Sequence, residues 1–297
     1  MTQALSAFRE IGDRWGTAAA LSTATCHAMV RGELQLVEQY GEQSSRLFRE
    51  LGDRWGRSQT IRPLAYLAES VTGDYERAAR LHEDGLRTAE ELRLGPEVAD
   101  RLSGLGRIAP LRGDLVRARE LHERAQRLAD QQNYRTGQQY AELGLALTAR
   151  RAGELDRAED LLNRLLAWHQ LAQGTSLVMA ELGFVAEQRG DAETALARHL
   201  DGLTIARAVG DLRSIALALD GLAGAQTLKG RHGQAARLLG RADAARRSAG
   251  APLPAAERGD VDRITVRARS ALGEDAFATE FDRGAALDPD ECLSMKP

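Results

Sequence analysis

Apolar and small residues recur along this chain at helical spacing, in paired blocks separated by a glycine. Before three of these glycines the sequence reads Leu-small-x-x-Ala-x-x-x-Gly: LGRIAPLRG (105–113), LALTARRAG (145–153) and LGFVAEQRG (182–190). The two small residues, three apart, lie on one helix face and let a neighbouring helix come close. After the glycine a second periodic block begins, as in Ala118, Leu121, Ala125 and Leu128, again one stripe of a helix. The glycine closes the first helix in the left-handed conformation of a short turn, and the acid behind it suits the start of the next helix. Each block pair therefore predicts a helical hairpin.

The hairpins repeat. The marker is a glycine with alanine five residues later: Gly73 and Ala78, Gly113 and Ala118, Gly153 and Ala158, Gly190 and Ala195, Gly230 and Ala235, with a weaker copy at Gly32 and Val37. Successive glycines are 41, 40, 40, 37 and 40 residues apart. A fixed period of that size signals a stacked array. The nonapeptide FREIGDRWG (8–16) returns as FRELGDRWG (48–56) and marks the link between one unit and the next, with Trp15 and Trp55 starting equivalent helices and packing between hairpins. One unit, LAYLAESVTG (64–73), carries an extra residue, and Pro63 stands in the same helix. A kink or bulge is expected there, either as a bend that shapes a binding site or as drift in a redundant array.

These positions resemble the tetratricopeptide repeat in a form of about 40 residues. The matches are the small residue of the first helix (Gly106, Ala146, Gly183, Ala223), the turn glycine, and the small residue of the second helix (Ala118, Ala158, Ala195, Ala235); a later small position matches at Gly85, Ala125, Gly202 and Ala242, while Leu165 departs. The resemblance implies an all-α fold: a right-handed α-solenoid of about six hairpins over residues 1–250, with capping helices and a tail over 251–297. Two prolines in GAPLPAAERGD (250–260) break the period, and helices are expected over 254–272 and 274–283. The array opens in mid-unit, because residues 3–11 read as a second helix without its partner. Either the chain is a piece of something longer or another subunit covers that end.

Composition narrows the function. The formal net charge of −3 gives no footprint for direct nucleic-acid binding. Cys26 and Cys292 are too far apart for a disulfide framework or a CxxC metal site, which fits a reducing cytoplasm. No run of about 18 apolar residues or signal-peptide core occurs, so no membrane association is expected. With lysine only at positions 229 and 296, no GxxxxGK[ST] phosphate loop exists, and neither GxSxG nor HExxH occurs. His82, His122 and His199 each stand nine residues after a turn glycine. Stacked units place such positions about 10 Å apart, too far to share a metal. They read as partly exposed helix residues, and His27, His169 and His232 show no ligand spacing. No cofactor, metal or catalytic group is expected, and the chain reads as a non-enzyme.

The tail, together with the FRELGDRWG unit, resembles the C-terminal repeat region of MalT-like and AfsR-like bacterial transcriptional regulators. There the repeats receive an inducer or a protein partner. The ATPase and DNA-binding parts of that family have no counterpart here, so only a sensor or scaffold role carries over. In tetratricopeptide arrays the first helices line a concave groove. Carried over unit by unit, the lining is Cys26 and Met29; Arg62 and Tyr66; Asp100, Ser103 and Arg107; Tyr140, Leu143, Leu147 and Arg150; Leu177, Phe184 and Glu187; and Leu217 and Asp220. Arginine with aromatics is the composition of binding hot spots. The expected partner is a peptide, a protein segment or a small-molecule inducer. The alternatives are self-association, as a homodimer through the unpaired N-terminal helix, and an enzyme that uses the groove.

Overall fold

A computed structural model describes residues 2–168 and 172–286, and the described residues form helices and no strand. His169 and Cys292 lie outside them. Contacts divide the chain into two compact units, Met1–Gly144 and Leu145–Pro297.

The first unit holds α1 (Thr2–Glu10), α2 (Arg14–Val30), α3 (Leu34–Glu50), α4 (Arg54–Gln59), α5 (Ile61–Leu67), α6 (Tyr75–Glu91), α7 (Gly95–Ile108), α8 (Leu115–Gln131) and the larger part of α9 (Arg135–Arg151). Consecutive helices pack on one another: α2 on α3, α5 on α6, α6 on α7 and α7 on α8. The marker alanines sit at the close contacts. Ala78, Ala118, Ala158, Ala195 and Ala235 are all 0% exposed. The acid after the glycine does more than favour the helix dipole. The side chains of Asp74 and Asp114 accept the backbone N–H of Arg77 and Arg117, capping the helices that follow.

Left-handed residues recur at half the period seen in the sequence. Gly12, Gly32, Gly52, Gly73, Arg93, Gly113, Asn133 and Gly153 all have positive φ, so the turns that join successive helices of the repeat close the same way. The repeated nonapeptide is a self-contained corner. Asp13 and Asp53 accept the N–H of Gly16 and Gly56, and those glycines leave room for the rings of Phe8 and Phe48. Trp15 does bridge hairpins: its Nε1 donates to Asp53 at 2.8 Å and its ring meets Phe48 edge-on. It is nevertheless 51% exposed.

The irregular unit resolves into two departures. The helix breaks at Thr60, between α4 and α5, which places Pro63 in a first turn where its missing N–H costs little. The extra residue is taken up by a π-helical turn, Ala68–Thr72, ahead of Gly73. That turn buries Glu69.

The second unit holds the end of α9 and α10 (Leu155–Trp168), α11 (Ala172–Gln188), α12 (Ala192–Val209), α13 (Leu212–Leu228), α14 (His232–Ser248), a short 3-10 turn (Ala255–Glu257), α15 (Gly259–Leu272) and α16 (Glu274–Ala285). Helices α11 to α14 pack in sequence. The expected C-terminal helices are present, the first starting five residues late because the 3-10 turn precedes it. Helix α16 lies along α14 backbone to backbone: a Cβ at Gly240 would strike the Phe281 carbonyl, and one at Gly284 the Arg237 carbonyl. No helix among the described residues is long and apolar enough to cross a membrane.

Candidate functional site

In the first unit the lining residues of α5, α7 and α9 do converge. The Arg62 guanidinium of α5 stacks on the Tyr140 ring of α9, 4.6 Å from its centroid. On α7, Asp100 accepts the Tyr134 hydroxyl at 3.1 Å. Burial pushes the Asp100 carboxyl up, against the pull of Arg101 and Arg62; burial, followed by Asp100, pushes the Tyr134 hydroxyl up to about 12. Ser103, one turn along α7, is buried with its Oγ unbonded. Tyr66 and Leu143 are half-buried, Cys26 is exposed, and Met29 packs on Ala28, Val37 and Leu67. Arg107 is not an open clamp, because its Nε donates to Glu69 in the π turn at 3.0 Å. The face thus offers exposed Arg62 and three half-buried tyrosines, Tyr66, Tyr134 and Tyr140, while Ser103 and the Asp100 Oδ1, which the sequence placed in the lining, are buried. Such a set can hold carboxylates and amides and can stack on apolar groups.

In the second unit Arg150, Phe184, Glu187 and Asp220 of the predicted lining are buried, and Leu147 is half-buried, as are Leu177 and Leu217. Helix α15 packs on α13 and α14 and reaches α9 and α11 through its side chains. Arg150 is buried, donating through Nε to Glu181 at 2.6 Å and pairing through Nη1 with Asp260 of α15 at 3.0 Å. Burial alone would lower its pKa; Glu181 and Asp260 outweigh it and raise it. Its guanidinium stands 5.2 Å from the centroid of Phe184, which is itself buried against Ile264 and Ala268 of α15. Glu187 is 1% exposed, and its carboxylate pairs with Arg263 and with Arg267, the latter at 3.2 Å. Asp220 is buried in a pair with Arg246 of α14, and burial outweighs that arginine and raises its pKa. Arg150, Phe184, Glu187 and Asp220 therefore do not line an open groove: the chain's own residues engage them. Leu217 packs at the edge of the cluster around Phe184.

The histidines depart from expectation. His82, His122 and His199 are 5%, 0% and 0% exposed, not partly exposed. Their rings fill spaces that glycines leave open. His82 stands against Gly104, His122 between Gly106 and Gly144, and His199 between Gly183 and Gly221. Burial keeps all three neutral, with His122 lowered to about 4 and His199 to about 3. Among the described residues no three His, Cys, Asp or Glu side chains are grouped to hold a metal.

One feature of the first unit has no counterpart in the sequence reading. A cleft of about 430 Å³ opens beside the start of α7, lined by Arg93, Arg124 and Arg127 with Glu90, Val98 and Leu128. Glu90 accepts from Arg124 at 3.0 Å. Arg124 and Arg127 project from one face of α8, and Arg93 comes from the turn between α6 and α7.

No protein-family model and no curated protein matches the chain. Among solved structures, the crystal structure of BtubC (BKLC) from P. vanneervenii is similar. Its TM-score is 0.53 and its identity 19%, over 74% of this chain and 91% of that one. At that identity the likeness speaks for the fold alone.

Proposed function

We propose that the chain is a non-catalytic binding module whose first-helix faces receive a peptide or protein segment. It would be the sensor or scaffold part of a bacterial regulatory system like those its sequence resembles. The observation that carries the reading is α15: in the second unit the first-helix face holds a helix, contacting it through Arg150, Phe184 and Glu187. On the same face of the first unit Arg62 is exposed and Tyr66 and Tyr140 are half-buried. Tyrosine and arginine over a polar floor suit an extended or helical segment better than a small apolar inducer.

The test is native mass spectrometry of the chain purified from its own host, compared with Arg62→Ala/Tyr140→Ala. The reading predicts an added mass on the native chain that the variant loses while keeping its helical circular dichroism. A bare native chain, or a mass retained by the variant, contradicts it. Self-association remains a second reading, favoured by Ile11 at 75% exposure beside half-exposed Trp15. Light scattering at tens of micromolar decides it, since a strict monomer removes it.

A further inference from the structure

We infer that the first-helix face of the second unit is a docking site for an amphipathic helix of another protein, and that α15 occupies it in cis. This rests on the reading of first-helix faces as binding surfaces and names the partner chemistry of one of them.

Helix α15 is lightly held. Of its 14 residues only Ile264 and Ala268 are buried. Val261 and Leu272 are partly covered, and Val266 faces solvent. It also packs on α14 and α16, with the Arg269 guanidinium 4.8 Å from the centroid of the Phe277 ring, and charge pairs join Asp260 to Arg150, and Arg263 and Arg267 to Glu187. An element with so few buried apolar contacts belongs to the low-stability end of a fold. Its neighbour α16 has a second hold on the stack, the backbone contact of Gly240 and Gly284 with α14, which does not involve α15.

The surface beneath is the opposite. Arg150, Glu181, Phe184 and Glu187 are all buried, and both ion pairs of Glu187 come from α15. At Gly224 the nearest side chains are Ile264 and Glu187, so the missing Cβ forms the seat for the isoleucine. Removing α15 leaves a carboxylate, one arginine nitrogen and an apolar seat facing outward. A helix that fits must bring an acid, an arginine three residues on, a branched apolar residue next, an arginine seven residues after the acid and a small residue eight after it. That is the spacing of Asp260, Arg263, Ile264, Arg267 and Ala268, one face of a helix. The partner is thus an arginine-flanked amphipathic helix with one acid at its N-terminal end.

The test uses the full chain carrying Arg263→Glu and Arg267→Glu, which sets like charges against Glu187. The probe is a labelled, end-capped synthetic peptide of residues 256–273. Hydrogen exchange reports α15 directly, and its amides should exchange at least about tenfold faster in the variant, with α11 to α14 unchanged. With the cis occupant released, the peptide should bind the variant at least about tenfold more tightly than the native chain. A peptide with both arginines replaced by glutamate should not bind. An α15 that stays protected overturns the inference, because the ion pairs then do not hold it. A released α15 with no peptide binding overturns it equally. A dimer of the variant with α15 still protected assigns the face to a second copy instead. None of these results touches Arg62 and Tyr140, so the first unit's face stands or falls separately.

Discussion

Replacing His199 by leucine isolates one titrating group in the core of the second unit. The ring is fully buried between Gly183 and Gly221, edge-on to Phe184 at 4.9 Å, with neither nitrogen bonded. Burial first, then Arg150, lowers its pKa from 6.5 to about 3, with Asp260 pulling the other way. A base with a depressed folded pKa gives its full stability above the unfolded value, here about 6.5. It loses that stability as acid protonates the unfolded chain, down to about pH 3. At pH 5 the linkage relation gives a loss of about 2 kcal/mol from this residue, relative to pH 8. Leucine is the array's own alternative, because Leu162 fills the equivalent position of α10 at 0% exposure. The assay is urea unfolding at pH 8 and pH 5, followed by hydrogen exchange of α12 and α13. Carboxylates titrate alike in both proteins, so the difference between them isolates the histidine. The pH dependence should shrink by about 2 kcal/mol in His199→Leu, whatever its absolute stability. Equal pH dependence in the two proteins would refute the reasoning.

Three further outcomes follow from packing. Gly221→Ala places a Cβ inside the His199 ring and should cost about 1–3 kcal/mol, read as a lower urea midpoint. Arg93→Gly relieves a non-glycine residue at φ 56 and should raise the midpoint of the first unit by up to about 1 kcal/mol. Arg246→Leu strips Asp220, 1% exposed, of its partner and should cost about 3–5 kcal/mol at pH 8. The cost should be smaller at pH 5, because the buried carboxyl of Asp220 is already pushed up and then protonates more readily.

The repeat was legible because its signals are local. Ala78 and Ala118 each lie five residues from a turn glycine, and the extra residue in 64–73 foretold the π turn at Ala68–Thr72. The half-period was hidden where Arg93 and Asn133 take the left-handed positions that glycine holds elsewhere. The histidines were misread because what surrounds them is on other helices: Gly106 and Gly144 admit His122, and neither is near it in sequence. The candidate site was half legible. Arg62 and Tyr140 meet as the register of the first helices requires, since both project from the same face. The cover over Arg150 and Glu187 was not legible. Its contacts join residues 110 and 76 apart, through a C-terminal helix with no repeat period to place it.

The most direct measurement is photo-crosslinking inside the native host from two single positions. Benzoylphenylalanine replaces Tyr66 on the first-helix face of the first unit, and in a second protein it replaces Val116, 72% exposed on α8. A discrete adduct from position 66 and none from 116, lost when Arg62→Ala/Tyr140→Ala is added, is the result a binding face predicts. No adduct from position 66, or the same adducts from both positions, would contradict it.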